Sequence, residues 1–171
     1  YRSEENGVGV IRVPVPSLNR ANLALRLLQF MCYQVGVMLA GLRLVYDALL
    51  VCNPALEVGL PFAVLSVLRR KPAIFSVHDV YPDAGVALGI FRHRAVIAMV
   101  AAMERFCLYH STRVRILSES FIGGLKALGT PDEKLVLIYD WVDTNLIRPL
   151  PRNNSFSQTH NLDDRFVVLY A

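Results

Sequence analysis

The sequence has 171 residues, of which 54% are hydrophobic and 19% are charged, and its formal net charge is +4. This length suits one ordinary domain with a substantial core, and the composition excludes a disordered chain. The basic residues lie in small groups without regular aromatic neighbours, which argues against nucleic-acid binding and leaves anionic lipid or a phosphorylated ligand as charge-complementary partners.

Short apolar runs alternate with helical patterns along the chain. The predicted elements are a strand over 8–15, a turn and helix cap over 17–20, a helix over 21–44, a strand over 46–52, a helix over 56–68, a strand over 73–77, a helix over 94–109, a strand over 113–117, a helix that Ser118 caps and that stops at Gly129, and a strand over 135–138. This alternation predicts an α/β domain with a mainly parallel sheet flanked by helices. Because the strand over 46–52 is almost continuously hydrophobic, we expect it to be covered on both faces.

The helix over 21–44 is the longest apolar element. Its polar and small residues recur at helical spacing and form one stripe: Asn22, Arg26, Gln29, Tyr33, Gly36, Ala40 and Arg43. The uncharged part, 27–42, is shorter than the ~20 residues of a typical membrane span. A core or interfacial helix is therefore favoured over a transmembrane one.

Three cysteines, Cys32, Cys52 and Cys107, are scattered among apolar neighbours. An odd and widely spaced set argues against a disulfide framework or a zinc site and favours a reducing compartment. Because free cysteine is commonly buried, we expect all three to be core thiols.

The strand over 73–77 ends in His78 and Asp79, two groups that a hydrophobic core would not select. Tyr81-Pro82-Asp83 then interrupts the strand, because proline removes a donor and holds the preceding residue extended. In an open parallel sheet, ligands bind just beyond the carboxyl ends of the strands. This pair is therefore the best candidate for a functional site.

Further short motifs follow in order along almost the whole chain. They are Asp47–Pro54 (DALLVCNP), Lys71–Asp83 (KPAIFSVHDVYPD), Ala87-Leu88-Gly89, Glu104-Arg105-Phe106, Ile116–Glu119 (ILSE), Leu128–Pro131 (LGTP), Lys134–Ile138 (KLVLI), Trp141-Val142-Asp143 and Arg148-Pro149. As a set they resemble the N-terminal, acceptor-side domain of a family-four glycosyltransferase with the two-domain GT-B architecture, which implies a Rossmann-like parallel sheet flanked by helices. More narrowly, they are similar to the branch that assembles bacterial exopolysaccharide, capsule and O-antigen. The chain departs from the family at Tyr139-Asp140, where proline-asparagine is usual.

This resemblance implies a domain organisation: 1–148 would be a partial acceptor domain, 149–164 an interdomain linker, and 165–171 the first strand of a donor domain. The family's amino-terminal strand with its glycine-rich loop, and its second domain, would lie outside this stretch. That second domain binds the nucleotide-diphosphate sugar, a co-substrate, through basic residues and paired glutamates. The resemblance further implies a retaining, metal-independent transferase without a cofactor, cytoplasmic or peripheral on the inner face of the plasma membrane. The stretch alone should be inactive.

The resemblance also suggests roles for individual residues. It places His78 at the junction of acceptor and donor, and it places Asp79, Tyr81, Ser118 and Glu119 at the substrate, with Asp79 also the partner of His78. Asp140, Trp141 and Asp143 would lie at the interdomain hinge. A neutral imidazole can donate or accept a hydrogen bond near neutral pH, which suits the orientation of a sugar hydroxyl. Structural roles remain open for all of them: a backbone contact for His78, capping for Asp79, Ser118 and Glu119, loop shaping for Tyr81, and a turn for the hinge residues.

Three other functions remain as alternatives. His78, Asp79 and Asp83 fit no standard metal signature, so a metallohydrolase is disfavoured. Basic groups beside apolar helices leave a non-catalytic, membrane-associated α/β binding module as a rival, and membrane docking would also bring a lipid-linked acceptor to a transferase. A GT-B-like sugar-nucleotide epimerase is the other rival.

Overall fold

A computed structural model describes residues 2–17, 23–90, 92–162 and 165–168. The chain forms two compact units, Tyr1–Tyr139 and Asp140–Ala171. The first unit contains β1 (Arg2–Glu5), β2 (Val8–Ile11), α1 (Leu23–Leu42), β3 (Leu49–Cys52), α2 (Ala55–Phe62), β4 (Ala73–Val77), α3 (Asp83–Ala87), α4 (Arg94–His110), β5 (Arg113–Ile116), α5 (Phe121–Ala127) and β6 (Leu135–Leu137). The second unit contains α6 (Ser155–Thr159).

The main sheet has four strands in the order β3-β4-β5-β6, and every neighbouring pair is parallel. Helices connect the strands, as parallel pairing requires. The predicted α/β class with a Rossmann-like parallel sheet is confirmed. β4 has the predicted bounds, and the strands predicted over 46–52, 113–117 and 135–138 are present in shorter form.

The core lies on one face of this sheet. Phe75 and Val77 of β4 and Ile116 of β5 pack there with Phe62 of α2 and Leu108 of α4, all at most 2% exposed. The rings of Phe62 and Phe75 meet edge to face, with 6.1 Å between their centroids, a favourable arrangement for aromatic pairs. Helices α2 and α4 therefore hold the strands from one side.

The opposite face of the sheet carries no helix in the described residues, so the expected cover on both faces is wrong. Leu50 is 66% exposed and Ile74 is 42% exposed, and Arg113 is exposed beside them. Both sets of alternating residues in β3 are apolar, which predicted helices on both faces of the sheet, but no described helix covers this face. Cys52 is exposed on this face and Cys32 is exposed on α1, so only Cys107 fulfils the expectation of core thiols.

The amino-terminal strand is shorter than predicted because a hairpin forms there. Asn6 and Gly7 have φ of 51° and 80°, which suits a tight turn between antiparallel strands, and β1 pairs with β2 from Arg2↔Ile11 to Glu5↔Val8. Residues 12–17 form no strand. The rest of the predicted turn, 18–20, and the predicted helix start at 21–22 lie outside the described residues.

Helix α1 presents an apolar stripe to solvent: Leu28, Met31, Val35, Leu39 and Leu42 are all exposed. Its buried polar residue is Gln34, whose Nε2 donates to Leu56 O (3.1 Å) and whose Oε1 accepts from Leu60 N (2.9 Å) on α2. Gln34 thus joins α1 to α2 through two hydrogen bonds to the α2 main chain. Among the described helices, none is both long enough and apolar enough to cross a membrane.

One further helix differs from its prediction, and one predicted helix end agrees with the structure. The helix predicted over 56–68 begins at Ala55, and after Pro61 it changes into a wide π-helical turn, Ala63–Leu68. Pro61 has no N–H for the α-helical ladder, which disturbs the regular repeat. The predicted stop at Gly129 is confirmed: this residue has φ of 91°, and Thr130 N donates to Leu125 O (3.0 Å).

In the second unit, α6 was not predicted. Asn154 caps it: its Oδ1 accepts from Phe156 N and Ser157 N at 3.0 Å, and Ser157 Oγ accepts from Asn154 N at 3.0 Å. Residues 165–168 form no strand, and 169–171 lie outside the described residues. The division into acceptor domain, linker and donor domain stays a prediction.

Candidate functional site

The candidate site lies where the parallel strands end. Asn53 directly follows β3, His78 and Asp79 directly follow β4, and Ser118 comes shortly after β5. Neighbouring parallel strands bring these residues to the same edge of the sheet. His78, Asp79 and Ser118 therefore lie at this edge in the first unit together with Asn53.

Asn53 holds the backbone of the two residues after β4. Its Oδ1 accepts from His78 N (2.9 Å), and its Nδ2 donates to Asp79 O (2.5 Å). The Asn53 main chain continues the sheet, since its N–H donates to Ser76 O (3.0 Å). One side chain thus extends the β3–β4 pairing beyond the last ladder residues and fixes the direction in which the loop leaves the sheet.

The His78 ring is exposed, and its Nε2 lies 3.3 Å from Ser76 Oγ. Arg115 Nη1 donates to the same oxygen (3.2 Å), while Arg115 Nε and Nη2 donate to Ile138 O and Tyr139 O. The predicted partner of this ring was Asp79. Among the described residues the hydrogen bond to the ring is made by Ser76, because residues i and i+2 of a strand share one face.

A buried carboxyl group supports the start of α2. Glu104 of α4 is 2% exposed, and its Oε1 accepts from Ala55 N (2.8 Å), the first amide of α2. Helix amides at this end have no partner within the helix. Burial raises the pKa of Glu104 to about 7, although the Ala55 hydrogen bond partly opposes that rise. Glu104 thus anchors the short connection that begins with Asn53.

Tyr81 lies in an acidic environment near this connection. Its pKa is raised first by burial and then by the charges of Asp79, Glu57 and Glu104, so the phenol keeps its proton and remains a donor at neutral pH. Tyr81 also lines a cavity of about 480 Å³ between the loop, α4 and α5, whose lining includes Arg94, Arg105 and Gly124.

Ser118 does not cap α5 in the predicted way, because the helix begins at Phe121, three residues later. Its Oγ accepts from Ser120 N (3.2 Å) and lies 2.8 Å from Ser120 Oγ, so it stabilises the turn before the helix. Glu119 is exposed in that turn. Both residues stand at the end of the strand next to β4, while their contact with substrate stays a prediction.

The predicted hinge residues Asp140, Trp141 and Asp143 belong to the second unit. Asp143 forms a turn: its Oδ1 accepts from Asn145 N (2.8 Å), and its O accepts from Ile147 N (2.8 Å). Trp141 is 82% exposed. These contacts give Asp143 a structural role within its own unit.

A family model described as a glycosyl transferase 4-like domain matches residues 1–141. The chain belongs to this family. Membership implies glycosyl transfer, with a nucleotide-sugar donor and an acceptor as the general partners. Comparison with curated protein sequences found no match. Among the described residues of this glycosyltransferase domain, no group of three or more His, Cys, Asp or Glu side chains is placed to hold a metal ion.

Four residues that build this glycosyltransferase site were not predicted from the sequence: Asn53, Ser76, Glu104 and Arg115. Asn53 lies in the quoted motif Asp47–Pro54, one residue before its end, and its position after a strand was a usable signal. Glu104 is an isolated acid between the apolar residues of α4, which indicates a buried, bonded carboxyl. Ser76 and Arg115 meet only through the β4–β5 register, which the sequence did not supply.

Proposed function

We propose that this domain takes part in the transfer of a sugar from a nucleotide-sugar donor to a glycan or lipid-linked acceptor in the synthesis of a bacterial surface polysaccharide. The proposed reaction retains the anomeric configuration and needs no metal ion. A second domain, as the family has, would supply most of the donor site. This reaction class is finer than family membership, and it rests on the motifs described above.

The observation that carries the proposal is the position of His78. Its side chain is exposed at the carboxyl end of β4, its N–H is bound by Asn53 Oδ1, and its ring is bound on one side by Ser76. A fixed imidazole at this edge can orient a sugar hydroxyl without moving during the reaction. Preorganised donors of this kind supply much of the stabilisation in reactions whose charge develops on oxygen.

The apolar stripe on α1 supports a membrane-associated acceptor. Five exposed residues, Leu28, Met31, Val35, Leu39 and Leu42, recur at spacings of three and four and so lie on one side of the helix. Exposed Arg43 follows directly. Apolar contact plus positive charge is the combination that binds anionic lipid, so we propose that this stripe rests on a membrane that holds the acceptor.

His78→Ala in the full-length protein tests the proposal. We expect kcat for sugar transfer to a lipid-linked acceptor to fall by about 100-fold, the usual cost of one preorganised donor, with unchanged circular dichroism. His93→Ala, at another exposed histidine of the same unit, is the matched control and should keep full transfer. Near-normal turnover by His78→Ala would contradict the role.

Two outcomes with the unmodified full-length protein would favour the rival functions. Co-sedimentation with anionic vesicles without any sugar transfer would favour the non-catalytic binding module. Consumption of the nucleotide sugar with no acceptor present would favour the epimerase. For the transferase, the anomeric configuration of the product by NMR and the activity in excess chelator test the retaining and metal-independent parts.

A further inference from the structure

Three side chains form a short hydrogen-bonded series on the uncovered face of the sheet. Ser76 and Arg115 are direct partners in the β4–β5 register, and His78 lies two residues after Ser76 on the same face. The distances are 3.2 Å from Arg115 Nη1 to Ser76 Oγ and 3.3 Å from Ser76 Oγ to His78 Nε2.

The direction of these hydrogen bonds follows from the chemistry of the groups. A guanidinium has only donors, so Ser76 Oγ accepts from Arg115. The hydroxyl then has one proton of its own to donate. Ser76 is 0% exposed, so no solvent reaches it, and among the described residues its one other polar neighbour is His78 Nε2.

A buried hydroxyl proton without an acceptor would cost free energy, so the arrangement with a donated proton is favoured. His78 Nε2 then accepts, and in a neutral imidazole the other nitrogen, Nδ1, carries the proton. The His78 side chain is exposed, so Nδ1 can reach a ligand, and no other described group bonds to it in the structure.

We propose that Ser76 and Arg115 hold His78 in the tautomer with its proton on Nδ1, so that His78 presents a hydrogen-bond donor to a sugar hydroxyl and does not act as a base. Ser76 and Arg115 are then positioning residues. The sugar as ligand rests on the proposed function, whereas the tautomer depends on the protein contacts alone.

The direct test is 15N NMR of the chain labelled with 15N-histidine, recorded at about pH 9, where imidazole is neutral. The His78 signals are assigned by their loss in His78→Gln. We expect Nδ1 to give the resonance of a protonated ring nitrogen and Nε2 that of an unprotonated one. In Ser76→Ala, Nε2 loses its donor, and the Nε2-protonated tautomer should become the larger share.

Two further variants separate the tautomer effect from a general loss of structure. Ser76→Thr keeps the hydroxyl and should keep the wild-type tautomer. Ser66→Ala is the matched control: Ser66 is 3% exposed and its hydroxyl donates to Lys71 O (2.8 Å), away from His78. It removes a buried, bonded serine in the same way and should leave the His78 signals unchanged.

The NMR result decides the tautomer. A wild-type His78 with its proton on Nε2, or a tautomer that Ser76→Ala leaves unchanged, overturns the proposal. Arg115→Met gives a second reading, because without the guanidinium the Ser76 oxygen is free to accept. A mixed tautomer in Arg115→Met supports the series of hydrogen bonds, and an unchanged one overturns the part of Arg115.

Transfer assays in the full-length protein decide the role of the donor. His78→Gln keeps an N–H donor and should retain about tenfold more kcat than His78→Ala, whereas equal losses overturn the donor role. If the tautomer is as expected but no variant or wild-type protein transfers sugar, the proposed function fails and the tautomer assignment stands.

Discussion

Glu104 should make the stability of this protein depend on pH in an unusual direction. Its carboxyl is 2% exposed and its pKa is raised to about 7, from an ordinary value of 4.5. Between these two pH values the folded chain holds a proton that the unfolded chain has released. The contribution of Glu104 to the free energy of unfolding is therefore fully present below about pH 4.5 and is lost as the pH rises through about 7.

The size of the effect follows from the shift. A difference of roughly 2.5 pKa units corresponds to about 3 kcal/mol, and most of this loss falls between about pH 5 and about pH 8. Cys107 lies on the same helix, but burial raises its pKa to about 12, so its thiol stays protonated throughout this range. Of these two buried groups, only Glu104 changes charge in this range.

Glu104→Gln removes the charge and keeps an oxygen that can accept from Ala55 N. We expect urea unfolding of the wild type, followed by circular dichroism, to show a free energy of unfolding that falls by about 2–3 kcal/mol from about pH 5 to about pH 8. Glu104→Gln should be nearly flat over the same range and more stable than wild type at the upper end.

Glu133→Gln is the control, because it removes an exposed carboxyl and should reproduce the wild-type slope. If Glu104→Gln shows the same fall with pH as the wild type, the argument from burial is refuted, since the titrating group would then be another one.

Two other predictions concern the loop after β4. Asn53→Ala removes both side-chain bonds to the His78 and Asp79 backbone; we expect hydrogen exchange of the His78 amide to accelerate and sugar transfer to fall, each by about tenfold, and unchanged exchange at this amide would contradict the positioning role. An adjacent pair of glycines in α5 should respond in opposite directions. A Cβ at Gly123 would meet nothing within 4 Å, so Gly123→Ala should raise the free energy of unfolding by about 1 kcal/mol, whereas a Cβ at Gly124 would lie 2.8 Å from Val80 Cγ1, so Gly124→Ala should lower it by about 1–3 kcal/mol. Equal effects of the two substitutions in thermal or urea unfolding would show that the contact with Val80 does not matter.

The edge of the sheet that carries the candidate site was predictable from local sequence. Ala73–Val77 is a compact apolar run that stops at His78 and Asp79, and a strand followed by polar groups and a proline is defined by neighbours in the sequence. The parallel arrangement followed from the alternation of strands and helices. These features need no knowledge of which residues meet across strands.

The partners of His78 were not predictable in the same way. Ser76 meets Arg115 across 39 positions of sequence, and a shift of one residue in the register would turn either side chain to the other face. Asn53 reaches His78 from the neighbouring strand for the same reason. Local patterns located the histidine, while tertiary pairing selected the groups that orient it.

The sequence also misled on how the sheet is covered. Leu50 and Ile74 are as apolar as the core residues beside them, so the run of hydrophobic residues predicted helices on both faces. Hydrophobicity indicates that a side chain can be buried, but the partner that buries it must come from elsewhere in the chain. Here the described helices α2 and α4 both pack on the other face.

β3 is one of the two outer strands of the main sheet, and within the described residues it is paired only with β4. Its four residues, Leu49-Leu50-Val51-Cys52, carry no charge and no proline, the devices that normally protect an outer strand from pairing with other molecules. The strand directly before Asn53, which supports the candidate site, therefore leaves one row of backbone N–H and C=O groups open to pairing with another strand. We expect this stretch to self-associate through β3 as the protein concentration rises.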